Sequence, residues 1–313
     1  MSARLDLKLG LILPEGERDM DGRTASWSDY TAMARTAEEM GFDSLWFVDH
    51  LLYREGASVE PPQGVWECWS VLAALAAVTS RVELAPLVSC TGYRNPALLA
   101  KIADTVDEIA GGRLLLALGA GWHEPEYGAF GFPFDHRYAR FAEALTIIHG
   151  LLRDGHVDFA GRYYTARDCE LRPRGPRGGT IPIMLGTTGE KMLRLTARYA
   201  DQWNAWLAMT DSSPERLPDL NAAVDAACAE VGRDPSTLER TIAVMVDVRG
   251  NSEIPASMGR GVATPICGAP EAIAATLRRF ANHGVRHLQL YLIPNTVETI
   301  RAFEPVLREL GRA

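Results

Sequence analysis

The adjacent residues Asp49 and His50 follow the apolar segment Trp46–Val48 and are well suited to acid–base chemistry. An imidazole beside a carboxylate can transfer a proton near neutral pH, or it can hydrogen-bond a ligand ring. A capping aspartate followed by a surface histidine is the alternative explanation of the same two residues. If a buried strand ends at Val48, the sequence predicts Asp49 and His50 as catalytic residues beside a pocket.

Two other apolar runs end in residues that suit a flat ligand. One run ends at Ser89, whose hydroxyl can hydrogen-bond a heterocycle, and another ends at Gly121 and Trp122. A glycine lets a ligand approach the backbone closely, and the indole offers a large ring. Simple turn chemistry and a packing tryptophan are the alternatives. Shortly downstream, Glu124 and Glu126 are predicted to be solvated rather than catalytic.

A fourth segment, Gly186-Thr187-Thr188-Gly189, stands between an apolar run and the predicted helix Glu190–Tyr199. The free amides and the dipole at a helix start attract anions, and two hydroxyl groups add donors, so this turn predicts a phosphate site. A helix start without a ligand is the alternative. Glu190 places a negative charge there, which Lys191 and Arg194 offset. Together, the strand ends and this turn suit a phosphorylated, flat redox cofactor better than they suit hydrolysis.

Eight apolar, strand-like runs alternate with helical patterns along the whole chain. The runs are Leu5–Leu13, Asp43–Val48, Val82–Ser89, Leu114–Gly119, Ile181–Gly186, Asp201–Leu207, Thr241–Val248 and His287–Ile293. Near-continuous apolar character is typical of parallel strands that are covered on both faces. Eight strand–helix units predict an α/β fold, a closed (β/α)₈ TIM barrel forming a single domain over residues 1–313, with a doubly wound open sheet as the alternative.

Two segments interrupt this repeat. Asp154–Arg174 alternates in polarity around a glycine turn, which predicts an antiparallel hairpin inserted after strand 4. Asp247–Pro270 is rich in Gly, Pro and Ser and forms a loop insertion after strand 7; it predicts either a mobile lid or a plain connection. The last helical pattern covers Thr296–Leu310.

Composition excludes several classes of partner and site. The 313 residues carry 32 Lys and Arg against 40 Asp and Glu, a net charge of −8, which argues against binding to nucleic acid or to an anionic membrane. No uncharged run is long enough to span a membrane, and Met1–Gly10 lacks the apolar region of a signal peptide. The five scattered cysteines suit the reducing cytoplasm, and no histidine spacing predicts a metal site.

Four segments in combination resemble the bacterial-luciferase-like monooxygenase superfamily, and most closely its branch of oxidoreductases that depend on the deazaflavin coenzyme F420. They are Gly41–Trp46 with the following Asp49 and His50, RNPALLAK (Arg94–Lys101), GGRLLLALGAGW (Gly111–Trp122) and LRLTARYADQWN (Leu193–Asn204). The resemblance spans nearly the full chain. It implies a (β/α)₈ barrel, often a homodimer, whose cofactor ring lies over the barrel top with its phosphate near strand 5.

The resemblance also implies roles for individual residues. Asp49 and His50 match the pair that contacts the ring, with His50 as proton donor or acceptor. The other implied cofactor-binding residues are Leu87, Val88, Ser89, Gly121, Trp122, Tyr127, Gly186, Thr187, Thr188 and Gly189. Trp122 stands where some sugar-phosphate dehydrogenases of the family place a carboxylate, so a sugar-phosphate substrate is not expected. Four basic residues are expected near the acidic tail of the cofactor: Arg174, Arg177, Lys191 and Arg194.

The function that this resemblance implies is hydride transfer between coenzyme F420 and a small organic substrate. A reduced-FMN monooxygenase that uses oxygen is an alternative, for which a separate reductase would supply the reduced cofactor. A flavin-binding protein without turnover is the alternative outside enzymes. The intact pair Asp49 and His50 favours an enzyme.

Overall fold

The computed structural model describes residues 6–17, 19–20, 22–53, 62–208, 210–250 and 263–312, in which eight strand positions form a parallel barrel. The strands are β1 (Lys8–Ile12), β2 (Ser44–Phe47), β3 (Glu83–Pro86, continuing as Ser89–Cys90), β4 (Leu116–Gly119), β5 (Ile183–Gly186), β6 (Gln202–Trp206), β7 (Glu239–Asp247) and β8 (Val285–Ile293). The order is β3-β2-β1-β8-β7-β6-β5-β4, and the second part of β3 pairs with β4. The sheet thus returns to its first strand, which confirms the predicted barrel; the open-sheet alternative is wrong.

Ten α-helices lie within the described residues and surround the strands. They are α1 (Trp27–Glu39), α2 (Cys68–Val78), α3 (Pro96–Ile109), α4 (Glu124–Phe130), α5 (Arg137–Asp154), α6 (Glu190–Tyr199), α7 (Leu217–Glu230), α8 (Pro270–Asn282), α9 (Val297–Ala302) and α10 (Glu304–Glu309). The single helix predicted over Thr296–Leu310 is divided at Phe303, because proline lacks an amide hydrogen and Pro305 fits only the first turn of a new helix. No described helix has the length and apolar character needed to cross a membrane.

The predicted hairpin after β4 is confirmed. His156–Ala160 pairs antiparallel with Thr165–Glu170, directly after α5. Of the segment Asp247–Pro270, residues 251–262 lie outside the described residues, so the predicted lid stays a prediction. The described part contains a short strand, Ile266–Cys267, which extends the sheet beside the end of β7.

The barrel interior is filled in layers, and the lowest one is polar. Nε2 of His287 lies 2.8 Å from Oγ of Ser44, and the amide of Asn204 donates to Thr241 and Gln289 at 2.9 and 2.8 Å. Above this layer, a buried cluster of apolar side chains includes Trp46, Ala117, Met184 and Met245, among others. The interior is therefore closed below, which leaves the carboxyl ends of the strands as the place for a cavity.

The buried His287 predicts a loss of stability in acid. Burial, together with the positive charges of Lys8 and Arg312, lowers the pKa of His287 to about 3. Below pH ~6.5 this histidine binds a proton in the unfolded chain but not in the folded chain. The free energy of unfolding therefore falls by ~1.4 kcal/mol for each pH unit below that value. Between pH 7.5 and pH 5, this residue should remove ~2 kcal/mol from the free energy of unfolding.

Urea unfolding at both pH values checks this prediction. His287→Gln should reduce the difference between the two pH values, because the titrating group is gone. The matched control His156→Gln, at a half-exposed histidine beside Asp168, should leave the difference unchanged. An undiminished difference in His287→Gln would show that another group titrates.

Candidate active site

One cavity of about 540 Å³ lies at the carboxyl ends of the strands. It is lined by Asp49 and His50 after β2 and, on the far side, by Thr187 and Thr188 after β5. Nine of the predicted cofactor-binding residues line it: Asp49, His50, Leu87, Val88, Gly121, Trp122, Gly186, Thr187 and Thr188. The ring position and the phosphate turn expected from the sequence are thus joined by a single space.

The floor of this cavity is built around Val88. The third strand is interrupted at Leu87 and Val88, whose shared peptide bond is cis. A Cβ atom at Gly119 would lie 2.6 Å from Cγ2 of Val88, and one at Gly186 would lie 2.9 Å from Cγ1. Two glycines are therefore needed for Val88 to lie against the ends of β4 and β5, where it forms an apolar base for a planar ligand.

His50 is paired with Glu126 and not with its neighbour in sequence. Nδ1 of His50 lies 2.7 Å from Oε1 of Glu126, and Oε2 accepts the amides of Leu51 and Leu52 at 2.9 and 3.2 Å. The Tyr93 hydroxyl also donates to Oε1. Burial opposes ionisation of Glu126, but these hydrogen bonds, that of His50 foremost, outweigh burial and lower the pKa of Glu126.

An ionised carboxylate only accepts, so Nδ1 of His50 carries the proton in this bond and Nε2 is the atom left for a ligand. No described residue hydrogen-bonds Nε2, and His50 lines the cavity. The prediction that Glu126 is solvated is wrong, because its side chain is fully buried, whereas Glu124 is exposed as predicted. The spacing His123, Glu126, Tyr127 marks the buried face of α4 and was the available signal.

Asp49 is held by Arg94, which begins the segment RNPALLAK. Nη1 and Nη2 of Arg94 donate to Oδ2 and Oδ1 of Asp49 at 2.6 and 2.9 Å, and the Ser89 hydroxyl and the Cys90 amide also donate to Oδ2. Burial opposes the charge of Arg94, but Asp49 and Glu67 outweigh burial and raise its pKa. Asp49 and His50 thus do not form an acid–base pair. Asp49 belongs to a buried ion pair that fixes the loop after β2.

Three of the predicted cofactor-binding residues do not line the cavity. Ser89 is fully buried and hydrogen-bonds Asp49 and Trp69. Tyr127 is buried; its hydroxyl donates to the Ala120 carbonyl at 3.0 Å and lies 2.9 Å from Sγ of Cys90. Gly189 is exposed and is the N-cap residue of α6. Burial raises the pKa of the Cys90 thiol to about 12, so this thiol is not a nucleophile near neutral pH.

Gly121 is a position where only glycine fits. It has φ +73°, and a Cβ atom there would lie 2.0 Å from Oη of Tyr127 and 2.6 Å from Sγ of Cys90. Gly232 has nearly the same φ, +71°, with nothing within 4 Å. Gly121→Ala should therefore destabilise the fold by at least ~2 kcal/mol more than Gly232→Ala, which bears only the backbone penalty. Thermal unfolding of both variants measures this, and equal shifts would contradict it.

The turn after β5 has the geometry of an anion site. Gly189 is the N-cap residue of α6 and has no side chain to bond the first amides of the helix. The turn is held by β6, since the Thr187 amide donates to the Asn204 carbonyl at 3.0 Å and the Trp203 indole donates to the Thr187 carbonyl at 2.7 Å. Thr188 is exposed. The first amides of α6 and the threonine hydroxyls fit a phosphate group.

The charges near this turn differ in part from expectation. Arg194 binds Glu190 and Glu230, both at 2.5 Å, so the negative charge of Glu190 is matched as predicted. Arg174 and Arg177, however, bind the Leu152 carbonyl and Asp107. They precede β5 and therefore lie at the amino end of the barrel, so the expectation that they meet the cofactor tail is wrong. Arg194 is paired with its two glutamates. Of the four basic residues, Lys191 is therefore the one still expected near the acidic tail of the cofactor; its Nζ lies 5.9 Å from the ring centroid of Tyr138.

Aromatic side chains close the His50 side of the cavity. The ring of Tyr53 lies 4.5 Å from that of His50, centroid to centroid, and the exposed Trp122 meets His50 edge-on at 5.6 Å. Tyr93 also lines the cavity, as does Trp206 at the end of β6. The cavity therefore combines an apolar floor, aromatic walls, one positioned imidazole and an anion-binding turn, which is the set of features that a flat, phosphorylated cofactor requires.

Comparison with known proteins agrees with this architecture. The sequence profile of the luciferase-like monooxygenase family matches residues 7–254. The pyrimidine monooxygenase RutA of Caulobacter vibrioides strain NA1000 is 34% identical over 208 residues, which cover 64% of this chain and 57% of RutA. The chain thus spans little more than half the length of that relative.

Two solved structures share the fold. An F420-dependent secondary alcohol dehydrogenase, in complex with an F420-acetone adduct, superposes with a TM-score of 0.79 at 20% identity, covering 97% of this chain and 99% of that one. The riboflavin lyase RcaE, with modified FMN and riboflavin, superposes with a TM-score of 0.77 at 16% identity, covering 98% and 92%.

Proposed function

Because this chain belongs to the luciferase-like monooxygenase family, we propose that it is an oxidoreductase that uses coenzyme F420 to move a hydride to or from a small organic substrate. The observation that carries the proposal is His50, whose Nδ1 is held by the buried Glu126 while its Nε2 is left for a ligand in the cavity. Moving a hydride to or from a carbon that bears oxygen requires a proton transfer at that oxygen. A positioned imidazole supplies this step.

The residues present fit a phosphorylated deazaflavin. The floor of Val88 between Gly119 and Gly186 suits a planar ring. The threonine hydroxyls of the Gly186–Gly189 turn and the first amides of α6 suit a phosphate. When bound, the deazaflavin supplies a ring carbon that accepts or donates the hydride.

The protein holds and moves the proton. Glu126 keeps the proton of His50 on Nδ1, so neutral His50 accepts a substrate proton at Nε2. The negative charge of Glu126 stabilises the imidazolium that results, and the Tyr93 hydroxyl with two backbone amides keeps the carboxylate in place. In the reverse direction the imidazolium returns the proton.

Titration of the purified protein with F420 and with FMN, followed by fluorescence or calorimetry, tests the choice of cofactor. We expect F420 to bind in the micromolar range and FMN to bind more weakly. FMN binding without F420 binding would overturn the proposal in favour of a reduced-FMN monooxygenase. The 34% identity to a pyrimidine monooxygenase favours that alternative, which would need a separate reductase. Binding of either cofactor without any turnover would favour a flavin-binding protein.

A charge at the turn tests the phosphate site for either cofactor. Thr188→Glu places a carboxylate at the exposed end of the turn, and repulsion should weaken cofactor binding by about tenfold or more. The control Thr180→Glu, at an exposed threonine before β5, should leave the affinity unchanged. Equal affinities of both variants would remove the phosphate from this turn.

The homodimer stays a prediction, which sedimentation of the purified protein measures.

A further inference from the structure

The indole of Trp122 is a large apolar ring that stays open to solvent at the cavity. Trp122 is 57% exposed, whereas Tyr53, Tyr93 and Trp206, which line the same cavity, are buried or half-buried. Its described ring contacts are both edge-on, to His50 at 5.6 Å and to His123 at 5.0 Å between centroids. A tryptophan that stabilises a fold buries most of its ring, so packing of the core does not explain this one.

The backbone is fixed on both sides of Trp122. Before it, Gly121 turns the chain with φ +73°, and the Gly121 carbonyl accepts Nη1 of Arg137 at 2.7 Å. The guanidinium of Arg137 lies over the ring of Phe134, 4.3 Å from its centroid. After it, α4 begins at Glu124, whose amide donates to the Trp122 carbonyl at 3.2 Å. The fold therefore holds in place the segment that presents the exposed ring.

A molecule that reaches His50 also comes within reach of Trp122. Both residues line the same cavity, and their ring centroids are 5.6 Å apart. Rings interact at centroid separations of about 4.5–7 Å, so a ring whose oxygen lies at Nε2 of His50 can contact the indole. The buried ring of Tyr53 already packs against the imidazole, 4.5 Å away and tilted by 35°. Of these two neighbours of His50, Trp122 is thus the one with surface left for a substrate.

We infer that Trp122 is a specificity-determining residue that packs against the substrate, and that the substrate carries an aromatic ring beside the oxygen that meets His50. Aromatic pairs gain free energy beyond the area that they bury, so an open indole favours a flat, apolar partner. None of the described residues that line the cavity is lysine or arginine, so an uncharged aryl ketone or alcohol suits it better than an anion. This role differs from the cofactor contact that the family resemblance implies for Trp122. The inference rests on the proposed function, because it takes His50 as the group that meets the substrate oxygen.

Ligand-observed NMR titrations with acetophenone and cyclohexyl methyl ketone test this inference on the protein saturated with oxidised F420, or on the protein alone if F420 does not bind. The two ketones are uncharged and differ only in whether the ring is aromatic. The wild type should bind acetophenone about threefold more tightly, or better. Trp122→Leu keeps an apolar side chain without a ring and should abolish this preference, whereas Trp122→Phe should retain it. The control Trp27→Leu, at an exposed tryptophan of α1, should retain it as well.

Three outcomes would overturn the inference: no acetophenone binding by the wild type, equal binding of the two ketones, or an unchanged preference in Trp122→Leu. An unchanged preference together with a weaker F420 affinity would make Trp122 a cofactor contact. If Trp122→Leu does not fold, Trp122→Gln decides in its place. F420 affinity also separates this inference from the proposed function. A protein that binds no F420 but prefers acetophenone, and loses that preference in Trp122→Leu, would keep Trp122 as a substrate contact and remove the proposed cofactor.

Discussion

Replacement of His50 by alanine should lower turnover by about 10²- to 10⁴-fold while the affinity for the cofactor changes little. The large effect is expected because Nε2 of His50 is the atom placed to exchange a proton with substrate in the cavity. Turnover is measured from the absorbance of the deazaflavin with a substrate that the wild type oxidises, and far-UV circular dichroism checks the fold. Unchanged turnover would remove His50 from the mechanism.

Glu126 should act only through His50. Glu126→Gln removes the charge that stabilises the imidazolium and should lower turnover by about tenfold or more. Combined with His50→Ala, it should add little further loss, because a positioning residue has no effect once the residue it positions is gone. Glu124→Gln, two residues earlier and exposed, is the matched control and should keep full turnover. Additive losses in the double variant would give Glu126 a role of its own.

The barrel could be predicted from sequence because its signal is repeated. Each strand shows the same continuous apolar run, and eight such runs separated by helices leave few other folds. The strand ends could be located for the same reason, so His50, Trp122 and Thr188 were assigned to one face, where a single cavity now joins them.

The partners of these residues could not be predicted, because they come from distant parts of the chain. Arg94 lies 45 residues from Asp49, and Glu126 lies 76 residues from His50. Adjacent residues of an extended segment point to opposite sides, so the neighbours Asp49 and His50 are directed to different partners. Proximity along the chain therefore predicts a pair that the fold does not form.

The burial of Glu126 could not be predicted from its residue type. Glutamate side chains are usually solvated, whereas Glu126 lies on the buried face of α4. The position of Arg174 could not be predicted from its closeness in sequence to β5. Arg174 precedes that strand and therefore lies at the amino end of the barrel.

Asp49→Asn should lower the free energy of unfolding by ~3–5 kcal/mol, the range seen when one partner of a buried ion pair is removed. Oδ1 and Oδ2 of Asp49 accept four hydrogen bonds, two of them from Arg94, and its side chain is fully buried. Asparagine has the same shape but only one accepting oxygen, so its amide group would face donors from Arg94 or Cys90. The guanidinium would also lose the charge that compensates its burial. Urea unfolding measures the change.

The exposed pair of Asp6 and Arg286, 2.9 Å apart, provides the control, because the Asp6 side chain is 91% exposed. Asp6→Asn should lower the free energy of unfolding by less than ~1 kcal/mol. The double variant Asp49→Asn with Arg94→Gln should recover part of the loss of Asp49→Asn, since no unpaired charge is left buried. Two results would contradict this prediction: a loss below ~1 kcal/mol in Asp49→Asn, or a double variant less stable than the single one. Either would mean that water or Glu67 compensates the charge of Arg94, and that the pair with Asp49 does not hold the loop that carries His50.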